Sequence, residues 1–370
     1  MIRPTHAAID REALRGNIRL IRSRIPAGTR VMGVVKANCY GHSAAICIPE
    51  MIAEGIDIFG VATIEEAEAL RALGVSANIA VLPPPLEGQY RRYIDADAEA
   101  VISNLRMAEA LAAVAESAGR RLPVHLHLDT GMGRNGVPPE EALDLLARVA
   151  GLPSLELVGF ASHLATSDEP GDAFALRQIE IFDTTLRSVL GAGYTFRDIH
   201  LANSGGTLNF PASHYNLVRP GLALYGYHPT AALQADSGLR PVLSLRTTIG
   251  NITSMPAGRP VSYSRRYYTS SPSLIATLPI GYADGLMRAL TNRIEALIGG
   301  RRYPVVGTIC MDEVMVNLGT DADVYVGQEV LLIGESAGMR IDAWEMALLA
   351  GTIPYEICTN ISARVPRRAL

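Results

Sequence analysis

Between Val31 and His42 the chain reads VMGVVKANCYGH, an apolar run that delivers one lysine, Lys36, and passes at once into Ala-Asn-Cys-Tyr-Gly-His. The run predicts a buried strand with an amine at its C-terminal end. Such a lysine can simply mark where a buried strand surfaces. Alternatively, a primary amine held at a dry strand end loses proton affinity and can condense with an aldehyde such as pyridoxal 5'-phosphate. Tyr40, four residues on, could reach a phosphate oxygen with its hydroxyl. The motif alone is compatible with both readings.

Histidines offer a second chemistry. His125 and His127 point the same way on one predicted strand, and His163 and His200 end the next two, so a metal-dependent hydrolase is a rival. No carboxylate-rich surround for them is evident from the sequence, and Lys36 has no special task in that reading beyond carbamylation.

These residues need elements to position them. Strand-like runs fall at Val31–Val35, Ile58–Ala62, Ile79–Leu82, Ala100–Ser103, Val124–Asp129, Leu157–Ser162, Ile199–Ala202 and Leu222–Tyr225, after a capped helix near Asp10–Ser23. Amphipathic stretches such as Ile64–Leu73, Ala108–Ala118, Glu140–Ala150 and Ala173–Leu190 lie between them. Eight strand-helix units predict an α/β fold, a (β/α)8 TIM-like barrel, whose chemistry belongs at the C-terminal strand ends. Lys36, Asp129, His163 and Asn203 all fall there. After about Leu233 the pattern changes to short strands, Leu243–Ser254, Ser273–Ile280, Glu295–Ile298, Tyr303–Val306, Val314–Leu318 and Val330–Ile333, with one helix near Ala343–Ala350. The expectation is a barrel over residues 1–233 and a mostly antiparallel β domain over 234–370.

Composition narrows the class. The 370 residues are 48% hydrophobic and 19% charged with net charge −4, ordinary for a folded globular protein and too acidic for a nucleic-acid partner. The N-terminus lacks an apolar leader and no run is long enough to span a bilayer, so a cytoplasmic location is expected, without membrane attachment. Cys39, Cys47, Cys310 and Cys358 show no short metal spacing and read as reduced thiols.

Further motifs recur along almost the whole chain: DTGMGRNG from Asp129, ASHLATSD around His163, ANSGG from Ala202, RPGLALYG around Arg219, VSYSRRYY around Tyr263, GYADG from Gly281, CMDE from Cys310 and PYEI from Pro354. Together with VVKANCYGH, and in this order, they resemble the alanine racemase family. The resemblance implies a pyridoxal 5'-phosphate enzyme built as a barrel plus a C-terminal β domain, interconverting L- and D-alanine and supplying D-alanine for peptidoglycan. It also implies a head-to-tail homodimer in which Tyr263 serves the partner's site.

Racemisation takes a proton from one face of the α-carbon and returns one on the other, so two bases must flank it. By resemblance these are Lys36 and Tyr263, the latter needing a polar, cationic neighbourhood to act near neutral pH. His163 and Arg219 are candidates for that network. Arg219 is also the implied partner of the pyridine nitrogen, which a guanidinium keeps unprotonated. Tyr40, Asn203, Ser204, Gly221, Leu222 and Tyr355 are the remaining cofactor-binding candidates. Arg134 and the backbone of Met311 are implied for the substrate carboxylate. Asp168, Tyr282, Arg288, Thr308 and Ile353 are implied for the narrow access channel.

Two positions depart from the family pattern. His127 stands where many members carry a carbamylated lysine that orients the arginine, so Arg134 needs another acceptor. Thr308 stands where a channel arginine is common. Both loosen the expectation of strict alanine specificity and keep a broader racemase, acting on serine or other small amino acids, in view. The other rivals are a non-enzymatic carrier of pyridoxal phosphate, for which Tyr263 has no use, and a fold-related decarboxylase, which needs an acid where Arg219 stands.

Overall fold

The computed structural model describes residues 3–320 and 323–370. These separate into two compact units. One holds Leu14–Cys39 and Cys47–Arg240, and the other holds the segment up to Ala13, Tyr40–Ile46 and Pro241–Leu370.

The first unit is built on an eight-stranded parallel sheet among the described residues: Arg30–Val34, Ile58–Val61, Asn78–Val81, Glu99–Ile102, Leu122–His127, Leu155–Ala161, Asp198–His200 and Leu217–Val218. The first seven pair in chain order, and the eighth returns to the first through Arg30–Leu217 and Val31–Val218. Between the seventh and eighth strands the gap is bridged singly. Arg219 N–H donates to Ala202 O at 2.9 Å, and Asn216 Oδ1 accepts from Ile199 N–H at 2.7 Å. The expected barrel is therefore present and nearly closed. Inside it Met32, Ile58, Ala80 and Leu217, each from a different strand, pack together with Leu82.

Several helices start at a side-chain cap, and others rest on a buried stripe. Thr63, Asn104 and Asp172 accept from the N–H groups of Glu66, Met107 and Ala175, starting Ile64–Ala72, Leu105–Ser117 and Ala173–Gly191; each such cap contributes about 1 kcal/mol. In Ala142–Ala150 the buried residues are Ala142, Leu145, Leu146 and Val149, a helical stripe. Ala44–Ala53 carries an internal Pro49 and only one charged residue, which hides its period.

One strand is corrected. Leu222–Tyr225, expected as the eighth strand, is a 3-10 helix, and the strand is Leu217–Val218. Pro220-Gly221 ends extended backbone, and all four residues of Leu222–Tyr225 are buried. Their unbroken apolarity reported depth and not strand geometry. The correction puts Arg219 directly at the end of the eighth strand.

The second unit carries a ten-stranded sheet among the described residues. Its order runs Asn251–Met255, Ser273–Leu278, Val314–Gly319, Arg301–Val306, Glu295–Ile298, Glu329–Ser336, Leu243–Thr248, His6–Ile9 and Arg367–Ala369, with Met339–Ile341 beside Glu329–Ser336. All pairings are antiparallel except that of His6–Ile9 with Arg367–Ala369. The single strand expected over Leu243–Ser254 breaks at Ile249-Gly250 into two with different partners. His6–Ile9 was not expected, since four residues are too few to show a period. No helix among the described residues is long and apolar enough to cross a membrane.

Gly159 in the sixth barrel strand marks a close approach: a Cβ there would overlap the ring of His125 on the neighbouring strand. We expect Gly159→Ala to destabilise the protein by roughly 2–3 kcal/mol through overpacking. Chemical denaturation measures this, and an unchanged midpoint would refute the packing argument.

Candidate active site

Lys36 follows the first barrel strand by two residues, at its C-terminal end. From Ala37 to Tyr40 four consecutive non-glycine residues hold φ of 51°, 53°, 58° and 53°, a left-handed turn that L-residues ordinarily avoid. Local bonds hold it. The Glu66 carboxylate accepts from Ala37 N–H at 2.6 Å and Ala62 N–H at 2.8 Å, and Cys39 N–H donates to Val35 O at 2.9 Å. Burial, and secondly the charge of Arg134, lower the proton affinity of the Lys36 amine, with Glu66 opposing. This is the direction that favours a nucleophilic amine.

The amine lines a cavity of about 270 Å³ inside the barrel unit. His127, Arg134, Asn135, His163, His200 and Arg219 supply the rest of its polar wall, and Val61, Leu82, Val101 and Ala161 much of its apolar wall. No carboxylate is among the lining residues, so the cavity suits an anion. Arg219 is buried; its Nη2–H donates to Ser162 O at 2.8 Å and to His163 Nδ1 at 3.2 Å, and its Nη1–H donates to His200 Nδ1 at 2.8 Å. Burial, with Arg134 adding repulsion, brings its pKa down to about 10, which still leaves it protonated at neutral pH. Burial, then Arg219 and Arg134, hold His163 well below the usual histidine value and His127 down to about 3, and burial, then Arg219, hold His200 well below it. These three imidazoles are neutral acceptors in a cationic cavity.

Behind the cavity wall lies an arrangement the sequence did not reveal. His200 Nε2 lies 2.9 Å from His125 Nδ1, and His125 Nε2 lies 2.7 Å from Glu99 Oε2. Arg197 Nη2–H donates to both Glu99 oxygens, at 2.6 and 2.7 Å. Burial alone would raise the Glu99 carboxyl, but bonds from His125 and Arg197 outweigh it and hold it below its usual value. Glu99, His125 and Asp198 also bring potential metal-ligating atoms within 4.8 Å of one another. Carboxylates do therefore surround His125, contrary to expectation, but Arg197 pairs with both and Arg30 with Asp198. Glu99 opens an otherwise apolar strand and Asp198 follows an arginine, so neither spacing signalled a cluster.

The remaining barrel candidates gather at neighbouring strand ends. Asn203 caps Ser204–Asn209 through Gly206 N–H at 2.9 Å, and its Oδ1 accepts from Ser167 Oγ at 2.7 Å. Ser204 Oγ accepts from Gly221 N–H at 2.9 Å and Ala223 N–H at 3.2 Å, which leaves its own proton to donate. Gly221 N–H, expected to face a cofactor, is thus engaged by Ser204, while Leu222 begins the 3-10 helix. Asp168 lies in the loop before Ala173–Gly191, its carboxyl raised by burial and by Glu169. Arg134 is exposed on a glycine-rich loop, and its guanidinium makes no hydrogen bond or ion pair among the described residues.

The other candidates belong to the β unit. Tyr40 and Tyr355 pack with ring centroids 5.8 Å apart. Tyr263 sits in a tight turn with Ser262, Ser264 and Arg265 at positive φ, and is 70% exposed. Its carbonyl accepts from Thr308 Oγ1 at 2.7 Å, and Ser262 Oγ–H donates to Thr308 O at 2.6 Å. Thr308 itself is buried. Tyr282 N–H donates to Cys310 O at 2.9 Å and Ala283 N–H to Met311 O at 3.0 Å, so Tyr282 and Met311, both exposed, share one loop pair. Arg288 opens a short 3-10 turn, and Ile353, exposed, precedes the helix Pro354–Thr359 that carries Tyr355.

Comparison with known proteins agrees with this geometry. Residues 9–229 match the family model of the alanine racemase N-terminal domain, and residues 242–369 that of the C-terminal domain. An alanine racemase of Symbiobacterium thermophilum is 42% identical over 99% of this chain and 97% of its own length, and "Alanine racemase 2" of Caldanaerobacter subterraneus subsp. tengcongensis is 37% identical over 99% and 95%. Among solved structures, alanine racemase from D-cycloserine-producing Streptomyces lavendulae superposes with a TM-score of 0.94 at 36% identity, covering 100% of this chain and 98% of that one. Alanine racemase from Bartonella henselae with covalently bound pyridoxal phosphate does so at 0.88 and 28%, covering all of both chains. Matched over both its domains and by relatives of nearly its own length, the chain belongs to the alanine racemase family.

Proposed function

We propose that the protein is a pyridoxal 5'-phosphate-dependent racemase that interconverts L-alanine and D-alanine and supplies D-alanine for peptidoglycan. The observation that carries this reading is the Lys36 amine, depressed in proton affinity and facing a cavity whose only charged side chains are cationic. That donor set fits the cofactor: an amine for its aldehyde, Arg219 for its ring nitrogen, apolar walls for its ring, and the Ser204 hydroxyl, whose oxygen is already occupied by two N–H groups, for its phosphate. Tyr40, Asn203, Leu222 and Tyr355 complete the proposed set, with the Gly221 N–H fixing the Ser204 hydroxyl and His163 ordering Arg219. When bound, pyridoxal phosphate draws electron density from the substrate's α-carbon and so acidifies its C–H bond.

The chain's own residues then handle the proton. Lys36 Nζ takes it from, or returns it to, one face, and Tyr263 Oη acts on the other. The 70% exposure of Tyr263 in the single chain supports its delivery to a second copy, so the proposed active form is a homodimer in the cytoplasm. Because Arg219 only donates, a ring nitrogen facing it stays unprotonated, which restrains side reactions. Arg134, whose guanidinium makes no hydrogen bond or ion pair among the described residues, and the Met311 N–H are proposed to hold the substrate carboxylate. Asp168, Tyr282, Arg288, Thr308 and Ile353 are proposed to shape the approach. The neutral His127 beside Arg134 supports a secondary reading in which serine and other small amino acids are also accepted.

The direct test is a visible spectrum before and after borohydride, followed by L-alanine with D-alanine as the readout. A reducible band with D-alanine formed supports the reading, and a band without D-alanine would overturn it. Lys36→Ala is expected to lose cofactor attachment and to lower turnover roughly a thousandfold or more; an undiminished visible band would sink the assignment. For Tyr263→Phe we expect retained cofactor with the two directions slowed unequally, and equal, undiminished rates would remove Tyr263 from the mechanism. Finally, a lowered lysine pKa means more neutral amine at a given pH. Arg134→Gln removes one source of that lowering, so capture of added pyridoxal phosphate by the cofactor-free enzyme should move to higher pH. A profile that stays put or moves lower would contradict the assigned cause.

A further inference from the structure

We propose that Glu99 is a positioning residue for the racemase reaction, setting the proton sites of His125 and His200 and so the lone pair that holds the Arg219 guanidinium. This rests on the reading of Arg219 as the partner of the cofactor ring nitrogen. Donors and acceptors alone set the sense of these bonds. A guanidinium has only N–H donors, so His200 Nδ1, 2.8 Å from Arg219 Nη1, accepts. His200, a neutral imidazole, then keeps its proton on Nε2 and donates it to His125 Nδ1 at 2.9 Å. His125 consequently keeps its own proton on Nε2 and donates it to Glu99 Oε2 at 2.7 Å.

Every bond in this chain runs the same way, from Arg219 to Glu99. The opposite sense would set two N–H groups against each other at Arg219. Glu99 is the terminus that enforces the direction, because an ionised carboxylate only accepts, and Arg197 keeps it ionised and in place from the other side. Glu99, His125, His200 and Arg219 are each no more than 5% exposed, so water does not relieve an error in the chain. The absent side chain of Gly159 gives the His125 ring its room. An amide at position 99 can donate as well as accept, so Glu99→Gln frees one end of the chain and leaves Arg219 alone to oppose the reversed sense.

The test is long-range proton–nitrogen NMR of the full-length enzyme labelled with ¹⁵N-histidine, of which the chain has eight, with and without pyridoxal phosphate. In the wild type we expect His125 and His200 both to carry the proton on Nε2. A proton on Nδ1 of either would overturn the proposal without any variant. In Glu99→Gln we expect a second tautomer at both histidines, a shifted visible band of the bound cofactor, and kcat lowered about tenfold with KM for alanine little changed. Mixed tautomers with wild-type kcat, or lowered kcat with the tautomers intact, would each overturn it, the latter leaving Glu99 a merely structural partner of Arg197. Wild-type enzyme that shows the derived tautomers but forms no D-alanine would instead defeat the racemase reading and leave the hydrogen-bond chain standing.

Discussion

A guanidinium sealed inside a barrel with only neutral acceptors against it is the constraint on which the site depends. Arg219 is bonded to two imidazoles and two main-chain carbonyls, and a hydrogen-bond chain through His200 and His125 links it to the Glu99 carboxylate. A directly paired arginine would spend its charge on that partner. Here the charge stays available to the cavity, at the cost of a lowered pKa that nevertheless remains above neutrality. Burial first, and this charge second, hold His127, His163 and His200 below the usual histidine value. Lys36 is lowered by burial and by Arg134 instead, so the cavity's polar wall answers to its dryness and to two arginines together.

The barrel was legible because its repeating units pair a short apolar run with an amphipathic helix, in several of them capped by a side chain. Ile58–Val61 and Ala142–Ala150 lie close to where apolar patterning alone put them. Leu222–Tyr225 was misread because burial and extension leave the same mark on a four-residue run. His6–Ile9 had no local signature at all: what makes it a strand is the edge offered by Leu243–Thr248 and Arg367–Ala369, and partners so distant in the chain cannot be seen in four residues.

The site was legible wherever a residue sits beside its strand end in a recognisable run. Lys36, His163, Asn203 and Arg219 are of this kind. Glu99 was not, because a charged residue opening a buried strand usually marks a solvent edge, and only the three-dimensional adjacency of separate strands reveals what it faces. Glu66 was missed for the same reason, its two backbone bonds being local in space and not in pattern. Thr308 shows the converse. Expected to shape the approach to the site, it is buried with its hydroxyl turned to the Tyr263 carbonyl, where it supports that turn.

The pairing of His6–Ile9 has a consequence for how the molecule comes into being. Both of its neighbours, Leu243–Thr248 and Arg367–Ala369, lie far along the chain, beyond the whole barrel. The barrel's strands, whose partners are mostly near in the chain, can assemble while this part of the β sheet still waits with an unfilled slot. The strand is therefore covered on both edges only by long-range closure, a step that follows local assembly of the barrel rather than leading it.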